Sequence, residues 1–400
     1  MEDFSTRLSS GSYFNARAKE LEDYVIQLRR DFHMHPEVAY RETRTSERVR
    51  EELDRWGIPY VLIEHNMVIA TIQGGAPGKT IGIRADMDAL PMQEESEVPY
   101  ASQNPGTMHS CGHDGHTAML LGVGAMLQEV REHLPGTVKL IFQSAEEVGG
   151  GVPEIIRHLD QNGGLDRLIA IHLWSDIDAG FISVEPGGRM AGGILFDVTV
   201  HGRGGHGSRP DKALDPIKPA CEILLQLAAI PGSRFDILQP CVVSPAMIQG
   251  GTTYNIIPDT ANIKGTIRYF SYEAGDVLSD IASTIVENVA KSYGVTAEIQ
   301  YSGHVLPIVN AIDAAARGQK TVQKIDGLSA LPFEPICACD CFGDLLHHYP
   351  GAYCYLGVRN PDKGSIYPQH HCRYNIDENV LKTGCAYLSQ YAFDFLKEEN

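Results

Sequence analysis

Four segments of this 400-residue chain carry side chains able to hold a metal ion or move a proton. "RADMDALPM" (Arg84–Met92) offers Asp86 and Asp88. "MHSCGHDGHTAM" (Met108–Met119) offers Cys111, His113, Asp114 and His116, with His109 nearby. "LIFQSAEEVGGG" (Leu140–Gly151) offers the adjacent acids Glu146 and Glu147, and "AIHLW" (Ala170–Trp174) ends in His172. A later stretch, "QHHCRYNIDE", adds His370 and His371. Thiolate, imidazole and carboxylate are the zinc-class donors. One Zn site needs only three or four of them. The larger number here, on separate segments, suits two ions bridged by a shared ligand and a water. In the Glu146-Glu147 pair one carboxylate can bind metal while the other takes a proton from water and passes it to a leaving nitrogen.

Taken singly, each feature has a plainer reading. An acid after a strand often caps a turn. A lone histidine is more often a satisfied core or surface residue than a ligand. His109, His116 and His371 are read as neighbours rather than ligands. The plain readings weaken jointly, because these residues recur at successive strand ends.

The elements that must position them read as an α/β layer. Residues 1–30 are expected to form an outer helix, broken at Asp31–Pro36, with a second helix over Glu42–Trp56. Strands are expected at Met67–Ile72, Thr80–Arg84, Thr137–Gln143 and Leu168–His172. Helices at Thr117–Arg131 and Pro153–Gln161 alternate with them, which implies a mostly parallel sheet with ligands at the carboxyl ends of its strands. After "EPGGRMAGG" (Glu185–Gly193) the order becomes β-α-β-β-α-β, the ferredoxin-like arrangement, from Ile194 to Ser302. The chain is then expected to return to the first layer. The boundaries are drawn at 1–190 with 304–400 for the catalytic domain and 191–303 for the insert.

"GRGGHG" (Gly202–Gly207) satisfies a dinucleotide-loop pattern, but Ser208-Arg209-Pro210-Asp211 separates it from the next helix, so no nucleotide role is expected. The alternating cysteines of "CACDC" (Cys337–Cys341) are read as small buried hydrophobes.

Composition narrows the field. With 43% hydrophobic and 21% charged residues the chain is globular, and its length fits two or three domains. A net charge of −18 argues against nucleic acid or an anionic membrane as partner. Residues 1–30 have no apolar stretch of signal-peptide length, and the apolar run from Ala118 to Leu127, broken by Gly122 and Gly124, falls short of a membrane span. Nine thinly spread cysteines fit reduced thiols in a cytoplasm.

"DFHMHPE", "IRADMDALPM", "MHSCGHDGHTAMLLG", "KLIFQSAEE", "GRGGHGSRP", "NIIPD", "GTIR" and "YPQHHCRYNIDE" follow one another from about Asp31 to Glu378. In this order they resemble the aminoacylase-type metallopeptidase superfamily, in the branch of hippurate hydrolases, N-acyl-amino-acid deacetylases and auxin-conjugate hydrolases. The resemblance implies that Cys111, His113, Glu147, His172 and His370 hold two divalent ions, Zn or Mn ahead of Co or Ni, and that Glu146 is the general acid/base. It implies that the insert is a lid and dimerisation domain of a homodimer. His206 would stabilise the oxyanion, Asn255 and Arg268 would meet the substrate's carboxylate or carbonyl, and Asp86 would orient a ligand. The implied activity is hydrolysis of N-acyl amino acids. The alternatives are a dipeptidase or small carboxypeptidase using the same centre, and a catalytically silent homologue. Three departures stand out: Asp340-Cys341-Phe342 where the family has Glu-Asp-Phe, Cys372 where it has Pro, and an N-terminal extension. The first bears on acyl-group preference.

Overall fold

The computed structural model describes residues 3–398 of the chain. These fall into two compact units. One takes in the chain up to Gly187, Asn310–Glu334 and the chain from Leu345; the other is Gly188–Val309 with Pro335–Asp344, the latter a segment beyond the expected 191–303 insert.

An eight-stranded mixed sheet organises the first unit. Its inner strands, Pro135–Gln143, Ala76–Asp86, Arg167–Asp178 and Gly351–Arg359, pair in parallel. Val68–Gln73 flanks them antiparallel. Inner strands covered on both faces need no polar alternation, and residues 81–86 and 168–173 are buried without a break. The helix His113–Glu129 crosses this layer with every residue from His113 to Leu127 buried, which is why it lacks an amphipathic pattern.

The N-terminal region departs from the expected single outer helix. It forms three helices, Phe4–Ser10, Ser12–Glu20 and Glu22–Met34. Gly11, at φ 87°, ends the first in the left-handed conformation that glycine adopts without strain. Phe14, Val25, Leu28 and Phe32 belong to the main core, each worth ~1.5–3 kcal/mol when fully buried. The third helix runs through the expected break at Asp31 as far as Met34.

The second unit has a four-stranded antiparallel sheet, ordered Cys241–Gly250, Thr260–Tyr269, Gly192–His201, Thr296–Val305. Helices Ile217–Ala228 and Tyr272–Ser292 share one core with it, built on Val198, Ile223, Ile263, Leu278 and Val286. Cys341 is buried as expected, but Cys337 and Cys339 are exposed. Their segment joins no strand ladder, so alternation there creates no inner face. Among the described residues no helix is long and apolar enough to cross a membrane.

Candidate metal centre

Three loops of the first unit bring the donors together. Gly112, at φ 94°, turns the chain between Cys111 and His113, so both side chains face one point; a Cβ there would meet the Tyr374 hydroxyl at 3.0 Å. Ala145, at φ 62°, and His370, at φ 61°, adopt the left-handed conformation without being glycine. Such strain persists only where surrounding contacts enforce it and clusters at functional sites. The His370 N–H donates to the Ser110 carbonyl at 2.8 Å, tying the late loop to the cysteine loop.

Donor atoms of Cys111, His113 and His172 lie within 4.8 Å of one another, as do those of Cys111, Glu147 and His370, and those of His113, Glu146 and Glu147. Cys111 Sγ is 3.5 Å from His172 Nε2, and His370 Nε2 is 3.5 Å from Glu147 Oε2. His113 Nδ1–H donates to the Asp88 carbonyl at 2.9 Å, which turns Nε2 inward. That Nε2 and Glu147 Oε1, both buried, have no hydrogen-bond partner. Buried polar atoms are otherwise almost always paired. Orphaned nitrogen and oxygen donors facing each other beside a thiol fit a cation.

The electrostatics agree. Burial pushes the Cys111 thiol well up, so its thiolate forms only with a positive charge at hand. Burial would lower His113, but Asp86, Cys111 and Asp88 outweigh it and hold the imidazole well above its ordinary value. Burial would raise Glu147, yet His370 and His113 keep it below the usual carboxylate value.

Asp86 lies beneath the donors in a buried chain. Burial opposes its charge, but Arg84, His113 and His116 hold its carboxyl well below the usual range. Arg84 Nη1 donates to Asp86 at 2.5 Å and Arg84 Nε to Gln143 Oε1 at 2.9 Å, while Gln143 Nε2 donates to the Gly150 carbonyl at 2.7 Å. On its other side Asp86 accepts from His116 Nδ1 at 2.5 Å, and His116 Nε2 accepts the Leu173 N–H at 2.9 Å. Both His116 nitrogens are therefore used, and it is not an open ligand. The His371 ring stacks on Tyr367, and its Nδ1 accepts the Arg373 N–H at 3.0 Å. His109 is buried, and burial pushes its pKa down to about 4, so it is neutral near pH 7.

His172 does not end its strand as expected; the strand runs on to Asp178. Two further acids emerge, Glu42, which sequence reasoning did not name, and Asp88, which it offered only as one of several candidate acids. Glu42, buried, accepts the Ala145 N–H at 2.7 Å, and Asp88, also buried, accepts the Glu146 and Glu147 N–H groups at 3.1 and 3.0 Å. The second acid of "DMD" was the one visible signal for Asp88; Glu42 had none.

His206, Asn255 and Arg268 belong to the second unit. His206 and Asn255 are neighbours there: His206 pairs with Ile256, and the Gly207 N–H donates to the Asn255 carbonyl at 2.8 Å. Both are exposed. Arg268 lies on the Thr260–Tyr269 strand opposite Gly193.

A parallel-centred α/β layer thus brings thiolate, imidazole and carboxylate groups that could hold a metal ion together beside a second glutamate. The chain belongs to peptidase family M20/M25/M40, whose model matches residues 82–394. It is 38% identical over 385 residues to thermostable carboxypeptidase 2 of Saccharolobus solfataricus, covering 94% of this chain and 96% of the relative. It is 33% identical over 378 residues to N-acetylcysteine deacetylase of Bacillus subtilis, covering 92% and 96%. Among solved structures, the Bacillus subtilis YXEP protein, described as a dinuclear metal binding peptidase, matches with a TM-score of 0.84 at 30% identity over 95% of this chain and 99% of that one.

Proposed function

We propose that this chain hydrolyses amides of the form R–CO–NH–CH(R′)–COO⁻, with N-acyl amino acids as substrates, releasing a carboxylic acid and a free amino acid. The observation that carries this reading is the convergence of Cys111, His113, Glu147, His172 and His370 around orphaned donor atoms, with Glu146 alongside. Those five residues would hold two divalent ions, Zn or Mn ahead of Co or Ni. Such ions supply Lewis acidity toward a carbonyl and acidify water.

Glu146 takes one proton from the attacking water, whose oxygen bonds to the acyl carbon. The same carboxyl returns that proton to the departing nitrogen as the C–N bond breaks. His206 donates to the developing oxyanion, a contribution of ~3 kcal/mol when aimed at that charge. Asn255 and Arg268 meet the carboxylate or carbonyl, Arg268 as a two-pronged donor. Asp86 orients the donors through His116. The second unit, ferredoxin-like in strand order, serves as lid and homodimer contact, and nine thinly spread cysteines suit a cytoplasmic enzyme.

A second reading is favoured by the 38% identity to a carboxypeptidase. There R would be a peptidyl group rather than a simple acyl group, and the carboxylate requirement would be shared. Acetyl-, benzoyl- and indole-acyl amino acids, dipeptides and longer peptides, each assayed with Zn, Mn, Co and Ni, separate the two. Preference for simple acyl groups supports the proposal, and preference for peptides moves the assignment to the second reading. Bound metal with no turnover on any amide overturns both in favour of a silent homologue.

A further inference from the structure

We propose that Trp174 and the rings behind it form an aromatic wall beside the metal donors, one that selects planar aryl acyl groups at R. The wall follows from strand register. His172 and Trp174 stand two residues apart on the strand Arg167–Asp178. Their side chains therefore lie on one face, with Trp174 about 6–7 Å nearer the carboxyl end, where ligands of an open α/β sheet gather. The Trp174 ring meets the His172 ring at a centroid distance of 5.3 Å, tilted by 69°. On the neighbouring parallel strand Tyr355 pairs with His172 and Gly357 with Trp174, so no side chain is paired with the indole there. The Tyr355 ring lies 5.1 Å from Trp174, and Tyr353 and Phe333 lie 5.4 and 5.9 Å from Tyr355. These residues all belong to the first unit.

Core packing does not account for this row of rings. Cys354, Leu356 and Val358 of the Gly351–Arg359 strand belong to the main core, and the tyrosines that alternate with them face the other way. Tyr353 and Tyr355 are fully buried and give the wall a rigid base, whereas Trp174 and Phe333 keep part of their surface open. Trp174 Nε1 is buried without a hydrogen-bond partner. Such donors are otherwise nearly always paired, and a phenylalanine would pack there without that cost. A half-open indole beside a metal donor suits a flat apolar group lying against it, through edge or offset contact between rings. A methyl group in the same place would leave most of that face uncovered. The amino-acid half of the substrate is assigned to Asn255 and Arg268 of the second unit, which leaves the acyl half to the first.

The proposal rests on the hydrolase reading, and its test has an arm that needs no turnover. The chain has two tryptophans, Trp56 and Trp174, so in Trp56→Phe the indole emission reports Trp174 alone. The zinc-loaded variant is titrated with benzoate and with acetate, the acids released from the two acyl classes. Benzoate should change the emission saturably and acetate should not. An equal response to both, or a response to neither, overturns the proposal. The second arm measures kcat and KM on benzoylglycine and acetylglycine for the parent, Trp174→Leu and Trp174→Phe. The parent should favour the benzoyl substrate in kcat/KM. Trp174→Leu should lose roughly tenfold of that preference, chiefly through a higher KM for benzoylglycine, and Trp174→Phe should keep most of it. A purely structural role would depress both substrates alike. A parent that prefers acetylglycine, or a Trp174→Leu ratio within about twofold of the parent's, overturns the wall and leaves the hydrolase reading standing. Should Trp174→Leu not fold, or the parent turn over no amide, the emission arm decides, so the two failures remain separate.

Discussion

His113 Nε2 and Glu147 Oε1 face each other across 3.9 Å, both buried and neither hydrogen-bonded. Two such atoms would ordinarily pair or hydrate, so their approach is stabilised best by a cation between them. Stripping divalent ions should lower the melting temperature. Readdition should restore it, by ~2.7 kcal/mol per site at a hundredfold excess over Kd. In His113→Ala that response should shrink and bound metal should fall. A melting curve indifferent to both chelator and zinc would remove the metal centre.

Glu146 shares its turn with Glu147 but is assigned the proton rather than the ion. Glu146→Gln keeps its size and main-chain bonds, so metal content should match the parent while kcat drops by about 10²–10⁴. Glu147→Gln should instead lose metal. Metal analysis beside steady-state kinetics separates the two, and a Glu146→Gln enzyme of normal kcat would end the assignment.

His116 bridges Asp86 and the Leu173 N–H, next in sequence to His172. His116→Ala should weaken metal affinity roughly 10–100-fold while full occupancy is still reached at saturating metal. His172→Ala should lower the stoichiometry itself. Equal stoichiometric loss in both variants would make His116 a ligand, against its hydrogen bonding.

Much of this architecture was legible in the residues. The strand expected at Thr137–Gln143 is found at Pro135–Gln143, ending at the same residue. The donor segments were legible too, since Cys, His and Glu advertise their chemistry. The N-terminal helices were misjudged for a specific reason. Arg29 looks like a surface charge, yet it is 0% exposed, 2.8 Å from Asp114 and 3.3 Å from Glu378. A charge neutralised by partners 85 and 349 positions away cannot be told from a solvated one by periodicity. Glu42 was missed, and Asp88 was named only as a candidate acid without its task, because their partners are main-chain N–H groups, which every residue type supplies alike.

Glu42 gives a dependence on pH with a definite sign. Burial, then the nearby Asp88 charge, pushes its carboxyl from the usual 4.5 up to about 7, and Oε2 has no hydrogen-bond partner. Between those values the folded chain keeps a proton that the unfolded chain has released. Stability from this group is therefore fully present below about 4.5, falls as pH rises, and is lost above about 7. The ceiling on the effect is ~3 kcal/mol. Glu42→Gln has no proton to lose and keeps an acceptor oxygen for the Ala145 N–H. Its stability relative to the parent should climb across that window and level off above it. Chemical denaturation of both proteins at saturating zinc measures this as a difference, in which titrations common to the pair cancel. A difference that stays flat from pH 4.5 to 7 would mean that Glu42 is ionised in the folded chain throughout, and that the turn before Glu146 is held by a charged carboxylate rather than a neutral acid.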